Sequence, residues 1–376
     1  MKFILSSTVL LKQLNALRGV VPNNPVIPIL ENFLFDITEE TLTITASDLQ
    51  TSIIATMDIE ADGKGSIAVP AKMLIETLRN LPEQPVTIQV DTDDFVIEII
   101  SGNGRYKLTG ENAEDYPLPN NPSDSTRQLE LTADVLASAI AFTLFAASND
   151  EMKPNMNGVF VHINEENATF VATDSHRLVR YRRHDIQTEN EVSMILPAKA
   201  LEQLKSTLPD QNLPVRLDFN DANAFFSFGN VRLICRLIDE RFPDYANVIP
   251  TENDKKLTLS SAALLGTLKR SIIYANKTSS QIRCSLSTDS LKVSAEDFDF
   301  ANQANETLPC EYVGEEFEIG FNARFLIDLL THLQSEQVVL EMSFPNRAAL
   351  MVPAEKFSED EDVLMLVMPV MLNNYM

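Results

Sequence analysis

Glycine is scarce in this chain, 11 residues of 376, less than half the ~7% of ordinary proteins. No G-x-G-x-x-G and no G-K-[ST] run occurs, which excludes a dinucleotide fingerprint and a P-loop. Cysteine is nearly absent: Cys235, Cys284 and Cys310 lie far apart, odd in number and without a CxxC pair. That leaves neither a disulfide framework nor a zinc ribbon. The four histidines (His162, His176, His184, His332) form no H-E-x-x-H and no Cys/His cluster, so neither a metal nor a cofactor is expected. No stretch approaches the ~20 apolar residues of a membrane span. The opening Met1-Lys2-Phe3-Ile4-Leu5 meets Ser6-Ser7-Thr8, too short an apolar run for a signal peptide. A reduced, soluble, cytoplasmic protein is the expectation. Basic charge is also short, 30 Lys+Arg against 54 acidic residues for a net charge of −24. Tight non-specific DNA binding needs many phosphate contacts, and that balance opposes it.

What is present is ordinary globular material, 44% apolar and 22% charged, in a length that suits two or three domains. It also repeats. Helix-like segments that follow a short strand begin at Phe3, Leu129 and Leu257, each with Ser or Thr where a hydroxyl can cap the first turn. A second helix signal recurs as VPAKMLIETLRNL from Val69, LPAKALEQLKSTL from Leu196 and FNARFLIDLLTHL from Phe321. A basic residue takes the same place in each: Lys72, Lys199, Arg324. Alternating strands that close on an acidic turn match at Asp48, Asp174 and Asp297. All three landmarks agree on a period near 125 residues. The expected fold is α+β, three repeated domains of two helices packed on antiparallel sheets, each reading β-α-β-β-β-α-β-β-β. Turn formers cluster near Pro119–Ser123 and Pro250–Asp254, which places domains at 1–124, 125–252 and 253–376.

No catalytic constellation emerges. Asp174-Ser175-His176 holds the residue types of a hydrolase triad, but side chains adjacent on a turn diverge where the mechanism needs convergence. The plainer expectation is a strand-ending turn with Asp174 bonded to nearby backbone N–H groups. The acidic run Glu359-Asp360-Glu361-Asp362 reads as a solvated loop.

The helix faces carry more. In the first helix Leu10, Leu14, Leu17 and Val21 form the buried stripe, leaving Thr8, Lys12 and Asn15 on another face. In the second, Leu74, Leu78 and Leu81 point inward and Lys72, Glu76 and Arg79 outward. Lys199 and Lys269-Arg270 repeat the outward pattern. Any one of these is an ordinary surface lysine or arginine. If three domains are arranged alike, however, Lys72, Lys199 and Arg324 face one common place. A local basic field on an acidic chain suits a polyanion held weakly and in a salt-sensitive way.

That combination resembles the bacterial DNA polymerase III beta subunit family, the replicative sliding clamps. The resemblance covers the whole chain. It rests on Met1-Lys2-Phe3, Pro28-Ile29-Leu30-Glu31-Asn32, Asn157-Gly158, Ala172-Thr173-Asp174-Ser175-His176-Arg177-Leu178, Arg241-Phe242-Pro243-Asp244-Tyr245, Ile319-Gly320-Phe321-Asn322 and Val367-Met368-Pro369. It implies a head-to-tail homodimer closed into a six-domain ring around double-stranded DNA, with helices lining the hole. DNA would be held by topology and the lining need only be slippery. The implied role is processivity of the replicative polymerase, without catalysis, and the implied partners are DNA, clamp loader, polymerase and other proteins with a clamp-binding motif; no membrane is involved.

Carried onto matching positions, the resemblance implies a partner-peptide pocket of Met156, Thr173, Ser175, His176, Arg177, Leu178, Pro243, Val248, Asn322, Phe325, Val367, Met368, Pro369 and Leu372. It implies DNA-facing Lys12, Lys72, Arg79, Lys199, Lys269 and Arg324, and a dimer contact of Tyr106 and Leu108 with Ile273 and Tyr274 of the other chain. Asn24 and Asn247 stand where some relatives carry arginine, Ser279 replaces an aromatic, and Asn373–Met376 extends past the usual last leucine. The alternatives are a monomeric acidic scaffold that binds peptides and never meets DNA, and an enzyme using Asp174 and His176.

Overall fold

The computed structural model describes residues 1–120, 127–209 and 212–372; the tail Asn373–Met376 and the boundary at 124/125 lie outside them. Six α-helices occur among the described residues: α1 (Ser7–Leu17), α2 (Ala71–Arg79), α3 (Ala133–Thr143), α4 (Ala198–Thr207), α5 (Ser261–Ser271) and α6 (Ala323–Leu333). Each follows directly on a strand, at the spacing expected from the repeats. Four strands of three or more residues, rather than the expected three, separate the helices of each repeat among the described residues, a further short strand joining them in the third. The extra ones are Gly65–Pro70, Val192–Pro197 and Phe317–Asn322. Each runs into its helix without a loop, so the apolar residues before Ala71, Ala198 and Ala323 merge with the helical pattern in the sequence.

The chain divides into two compact units that cut across the repeats: Met1–Ala137 with Lys199–Leu237, and Ser138–Ala198 with Ile238–Met376. The reason is hydrogen bonding. In the first unit an eight-stranded antiparallel sheet joins strands of repeat two to strands of repeat one through Val231–Arg236 beside Thr51–Asp58, with Cys235 opposite Thr51. In the second, a nine-stranded sheet joins repeats two and three through Arg177–Arg183 beside Glu361–Val367, with Arg177 opposite Val367. Each unit also holds a smaller sheet. The first unit's has five strands and ends at Gly104–Thr109; the second unit's has four and ends at Asn302–Pro309.

Within the first unit α1 buries Leu10, Leu14 and Leu17 and packs on α2, which buries Leu74, Ile75 and Leu78. Val21 and Leu81 lie past the helix ends and are half-buried; a single turn, Arg18–Val20, buries Val20 in place of Val21. The Pro28–Glu31 turn puts Ile29 and Leu30 into a cluster with Leu34, Ala68 and Tyr116. In the second unit α5 and α6 pack together, α6 burying Leu326, Leu329, Leu330 and Leu333. Alternation is clean in Pro85–Asp91, where Val86, Ile88 and Val90 face the core. Capping is uneven. Ser260 Oγ accepts from Ala263 N at α5, whereas Ser6 at α1 bonds the Thr8 hydroxyl and caps nothing.

Candidate partner-binding groove

The groove is built in the second unit around a tight turn. Strands Ala168–Thr173 and Arg177–Arg183 pair antiparallel, with Thr173 opposite Leu178. Asp174 Oδ1 accepts from the N–H groups of His176 and Arg177, both at 2.9 Å, and Thr173 Oγ1 donates to the Arg177 carbonyl at 2.7 Å. Ser175 adopts the left-handed conformation, φ 77°, as the turn demands. Ser175 Oγ contacts Met156 Sδ and receives the Lys153 ammonium, while the His176 ring stacks on Phe325 with centroids 5.6 Å apart. The three side chains of Asp174-Ser175-His176 therefore point to three different partners. A triad is ruled out, and the plain turn is what forms.

The turn grips the chain's last strand. Leu178 pairs with Leu366, and Met368 N donates to the His176 carbonyl at 2.8 Å. Pro369 then ends that ladder, having no N–H, and Val370 N donates instead to the Gly320 carbonyl at 2.9 Å. Glycine is needed at 320 because a Cβ there would meet Val370 O at 2.5 Å and Leu372 Cδ2 at 2.8 Å. Leu372 is thereby seated on the strand Phe317–Asn322. The result is an apolar wall in which Leu178, Leu366 and Val367 are buried, edged by Met368 and Met371, exposed at 40% and 72%. Phe242 belongs to the same buried cluster as Leu178, with Tyr245 and Ile249 packed against it. Pro243 and the 54%-exposed Val248 sit on the segment these residues anchor.

One expected polar contact is already taken up. The Arg177 guanidinium donates to Asp174 at 3.1 Å, to Asp328 at 2.5 Å and to the Phe145 carbonyl at 3.0 Å. It is also flanked by the rings of Phe145 and Phe325, a cation–π sandwich. Arg177 therefore holds the groove's wall together rather than reaching into it. Asn322 Oδ1 caps α6 through Arg324 N at 2.9 Å, which leaves its amide N–H₂ without a partner among the described residues. Asn247 bonds its own neighbour Asp244. Sequence reading missed Phe145 and Asp328, and held Gly320 only as part of the Ile319-Gly320-Phe321-Asn322 run, without its role; a rare glycine inside a strand was the signal.

The other expected residues fall as follows. Lys12, Lys72, Arg79, Lys269 and Arg324 are exposed on their helices. Lys199 is exposed too, but its ammonium is bonded to the buried Asp48 carboxylate, so it is not a free cation. Tyr106, Ile273 and Tyr274 expose 39%, 61% and 44% of their surface. Leu108 does not: at 4% exposure it faces the five-stranded sheet's own core, a correction to its expected place in a dimer contact. Phe298 and Phe300, exposed at 77% and 73%, were not anticipated. Nor is Glu359–Asp362 a solvated loop throughout: Glu361 and Asp362 open the last strand and pair with Arg183 and Arg180. Among the described residues no group of three His, Cys, Asp or Glu could hold a metal, and no helix is long and apolar enough to cross a membrane.

Three repeats of two helices each, with sheets continuous between neighbours, and a groove in which Asp174, Ser175 and His176 do not converge, define a clamp-type binding protein. Three family models cover nearly the whole chain: the DNA polymerase III beta subunit N-terminal domain matches residues 1–120, the central domain 130–244 and the C-terminal domain 246–371. The beta sliding clamp of Vibrio cholerae is 30% identical, with 99% of this chain and all of the relative covered. That of Pseudomonas putida is 29% identical at the same coverage. Among solved structures, the DNA polymerase III subunit beta of Pseudomonas aeruginosa superposes with a TM-score of 0.93 at 28% identity, over 99% of this chain and 100% of that one. The Streptococcus pyogenes subunit gives the same TM-score and coverage at 24% identity, a likeness of fold. The chain belongs to the DNA polymerase III beta subunit family.

Proposed function

We propose that two copies of this chain close into a ring around duplex DNA and tether the replicative polymerase to it. A sliding clamp is a processivity subunit without catalysis, and this chain's family membership makes it one. The observation that carries ring closure is the set of sheets. Two junctions between repeats make sheets of eight and nine strands, whereas the ends leave sheets of five and four. The unpaired edges, Gly104–Thr109 and Asn302–Pro309, occupy the repeat positions of Val231–Arg236 and Thr51–Asp58, which pair in the first unit. Pairing those edges between two copies makes a further nine-stranded sheet, and doing so twice closes a two-fold ring. Exposed Tyr106 on one edge, with Phe300 near the other, supports burial there.

In this reading the domains run 1–124, 125–252 and 253–376, and Lys12, Lys72, Arg79, Lys269 and Arg324 face DNA, with Lys199 muted by Asp48. The groove of Leu178, Val248, Val367, Met368, Pro369 and Leu372 takes short motifs of glutamine followed by apolar residues, from the polymerase, the clamp loader and other partners. Methionines suit a groove with several occupants because the thioether repacks. The cytoplasm, where DNA is replicated, is the place of action. Retention on nicked circular DNA, lost when the circle is cut, is the expected result. A chain that stays equally bound to linear DNA, or binds neither form, would leave only the peptide-binding scaffold.

A further inference from the structure

We propose that the first unit carries a second peptide-docking cleft, at the repeat position of the groove just described, and that it takes short segments combining apolar side chains with a carboxylate. The proposal rests on the reading of the first groove as a peptide site.

The two places share a backbone design. In the first unit the turn is Ser47-Asp48-Leu49-Gln50-Thr51, in the second Thr173-Asp174-Ser175-His176-Arg177. Asp48 Oδ1 accepts from Gln50 N at 3.0 Å and Thr51 N at 2.7 Å, as Asp174 does from His176 and Arg177. Ser47 Oγ accepts from Leu49 N and Thr173 Oγ1 from Ser175 N, both at 3.2 Å. Leu49 and Ser175 are both left-handed, φ 74° and 77°. Arg236 N donates to the Gln50 carbonyl at 2.8 Å, as Met368 N does to that of His176. The exposed residue on the following connector is Leu118 in one place and Val248 in the other, each just past a tyrosine, Tyr116 or Tyr245. Hydrogen bonds alone require the turn; they do not require an open cleft beside it, and the first unit has one.

The first unit's cleft is about 290 Å³, lined by Leu49, Gln50, Pro117, Leu118, Ile234 and Arg236 among others. That lies near the lower limit of the roughly 300–1,000 Å³ range of ligand pockets, room for a few side chains of an extended segment. A leucine that must adopt a left-handed φ is an unfavourable choice for the turn alone. Here it presents a side chain 51% exposed at the cleft. Leu118 is 75% exposed opposite a proline on each side, an apolar rim on a stiff connector.

Charge distinguishes the occupant. Where the second unit has Met368, the first has Arg236, exposed and without a side-chain hydrogen bond or ion pair among the described residues. The nearest carboxylate on the turn, Asp48, is neutralised by Lys199. Among the described residues the cleft thus offers one uncompensated cation in a chain of net charge −24, and an anionic partner group is the complement. Thr51 replaces Arg177 here, so no guanidinium braces this cleft as Arg177 braces the groove.

The test is methyl NMR of the full-length protein with labelled Leu and Val, titrated with a capped hexapeptide containing two leucines, a phenylalanine and an aspartate. Shifts at Leu49 and Leu118 are expected, along with at least tenfold weaker binding at that cleft for Arg236→Glu and, separately, for the peptide with asparagine in place of aspartate. Shifts confined to Val248 and Leu372 would overturn the second cleft and leave the first groove standing. Shifts at neither place would likewise overturn the second cleft, the first groove being tested separately by its own glutamine-led motif. Shifts at Leu49 and Leu118 with an affinity unmoved by Arg236→Glu would overturn the assigned partner chemistry.

Discussion

At the scale of single residues, the groove depends on what is already satisfied inside it. Arg177 has three acceptors and two aromatic faces, and its side chain is 11% exposed. Removing it takes from Asp174 Oδ2, 17% exposed, its only side-chain donor among the described residues, while Oδ1 keeps its two backbone N–H groups and Asp328, 47% exposed, is relieved by water. Arg177→Ala is therefore expected to cost about 2–3 kcal/mol of stability, the scale of a charged hydrogen-bond network losing its donor, read as a lowered midpoint in chemical denaturation. A direct peptide contact would instead cost affinity with no loss of stability. The cysteines make a second residue-scale case. Burial pushes the Cys235 and Cys284 thiols up to about 12, and burial with the neighbouring Asp289 raises the partly exposed Cys310. Because a raised thiol keeps its proton, native protein at pH 8 should alkylate slowly, at Cys310 first. Mass spectrometry should find at most one adduct before unfolding and three after it; rapid double labelling would mean the sheets open far more readily than their burial implies.

Elements, rather than residues, position Met368–Leu372. Glu361–Val367 is held on both sides, by Arg177–Arg183 and by Ala349–Pro353, so cutting after Val367 leaves a complete strand. What goes is the Met368 bond to His176, the Val370 bridge to Gly320 and the seat of Leu372. Met368 and Leu372 are only partly buried, so the loss of peptide affinity should be about 2 kcal/mol, roughly thirtyfold. Calorimetric titration checks it, and unchanged affinity would place the partner site elsewhere. Much of this element plan was legible beforehand. Helix positions followed from repeated i, i+4 leucines and from Lys72, Lys199 and Arg324 in register, and the Asp174 turn from its residue types. The strand before each second helix was not legible, because Ile67-Ala68-Val69 runs into Ala71 with no breaker but Pro70, which also suits a first helical turn. Leu108 misled for a related reason. It shares Tyr106's side of the strand by period two, and only the packing shows that one is covered and the other is not.

At the scale of the whole molecule, the repeat resolves the conflict between an acidic chain and a DNA partner. A chain of net charge −24 repels phosphates at long range, but Lys12, Lys72 and Arg79 on α1 and α2, and Lys269 and Arg324 on α5 and α6, are exposed, and in the proposed ring they would line the hole. In the proposed ring, enclosure would make strong attraction unnecessary: a closed ring cannot leave a circle, so these residues would need only to permit sliding. Everything then rests on closure, which the sequence implied through apolar residues and the strand order supports through two unpaired edges. Ile273 tests it well. It lies on the Ile272–Tyr274 turn after α5, is 61% exposed, and contributes little to the fold of its own chain. In a ring it would meet the other copy, and Ile273→Asp would place an unpaired carboxylate in an apolar contact, a cost of about 2–4 kcal/mol per interface. Sedimentation at micromolar concentration should show the wild type near twice 42.0 kDa and the variant largely as single chains, with the melting transition of the monomer intact because the substituted side chain was exposed. Retention on nicked circles should fall with it. A variant that remains dimeric and still holds circular DNA would place the ring contact away from this turn, and a wild type that sediments as a monomer would remove the ring altogether.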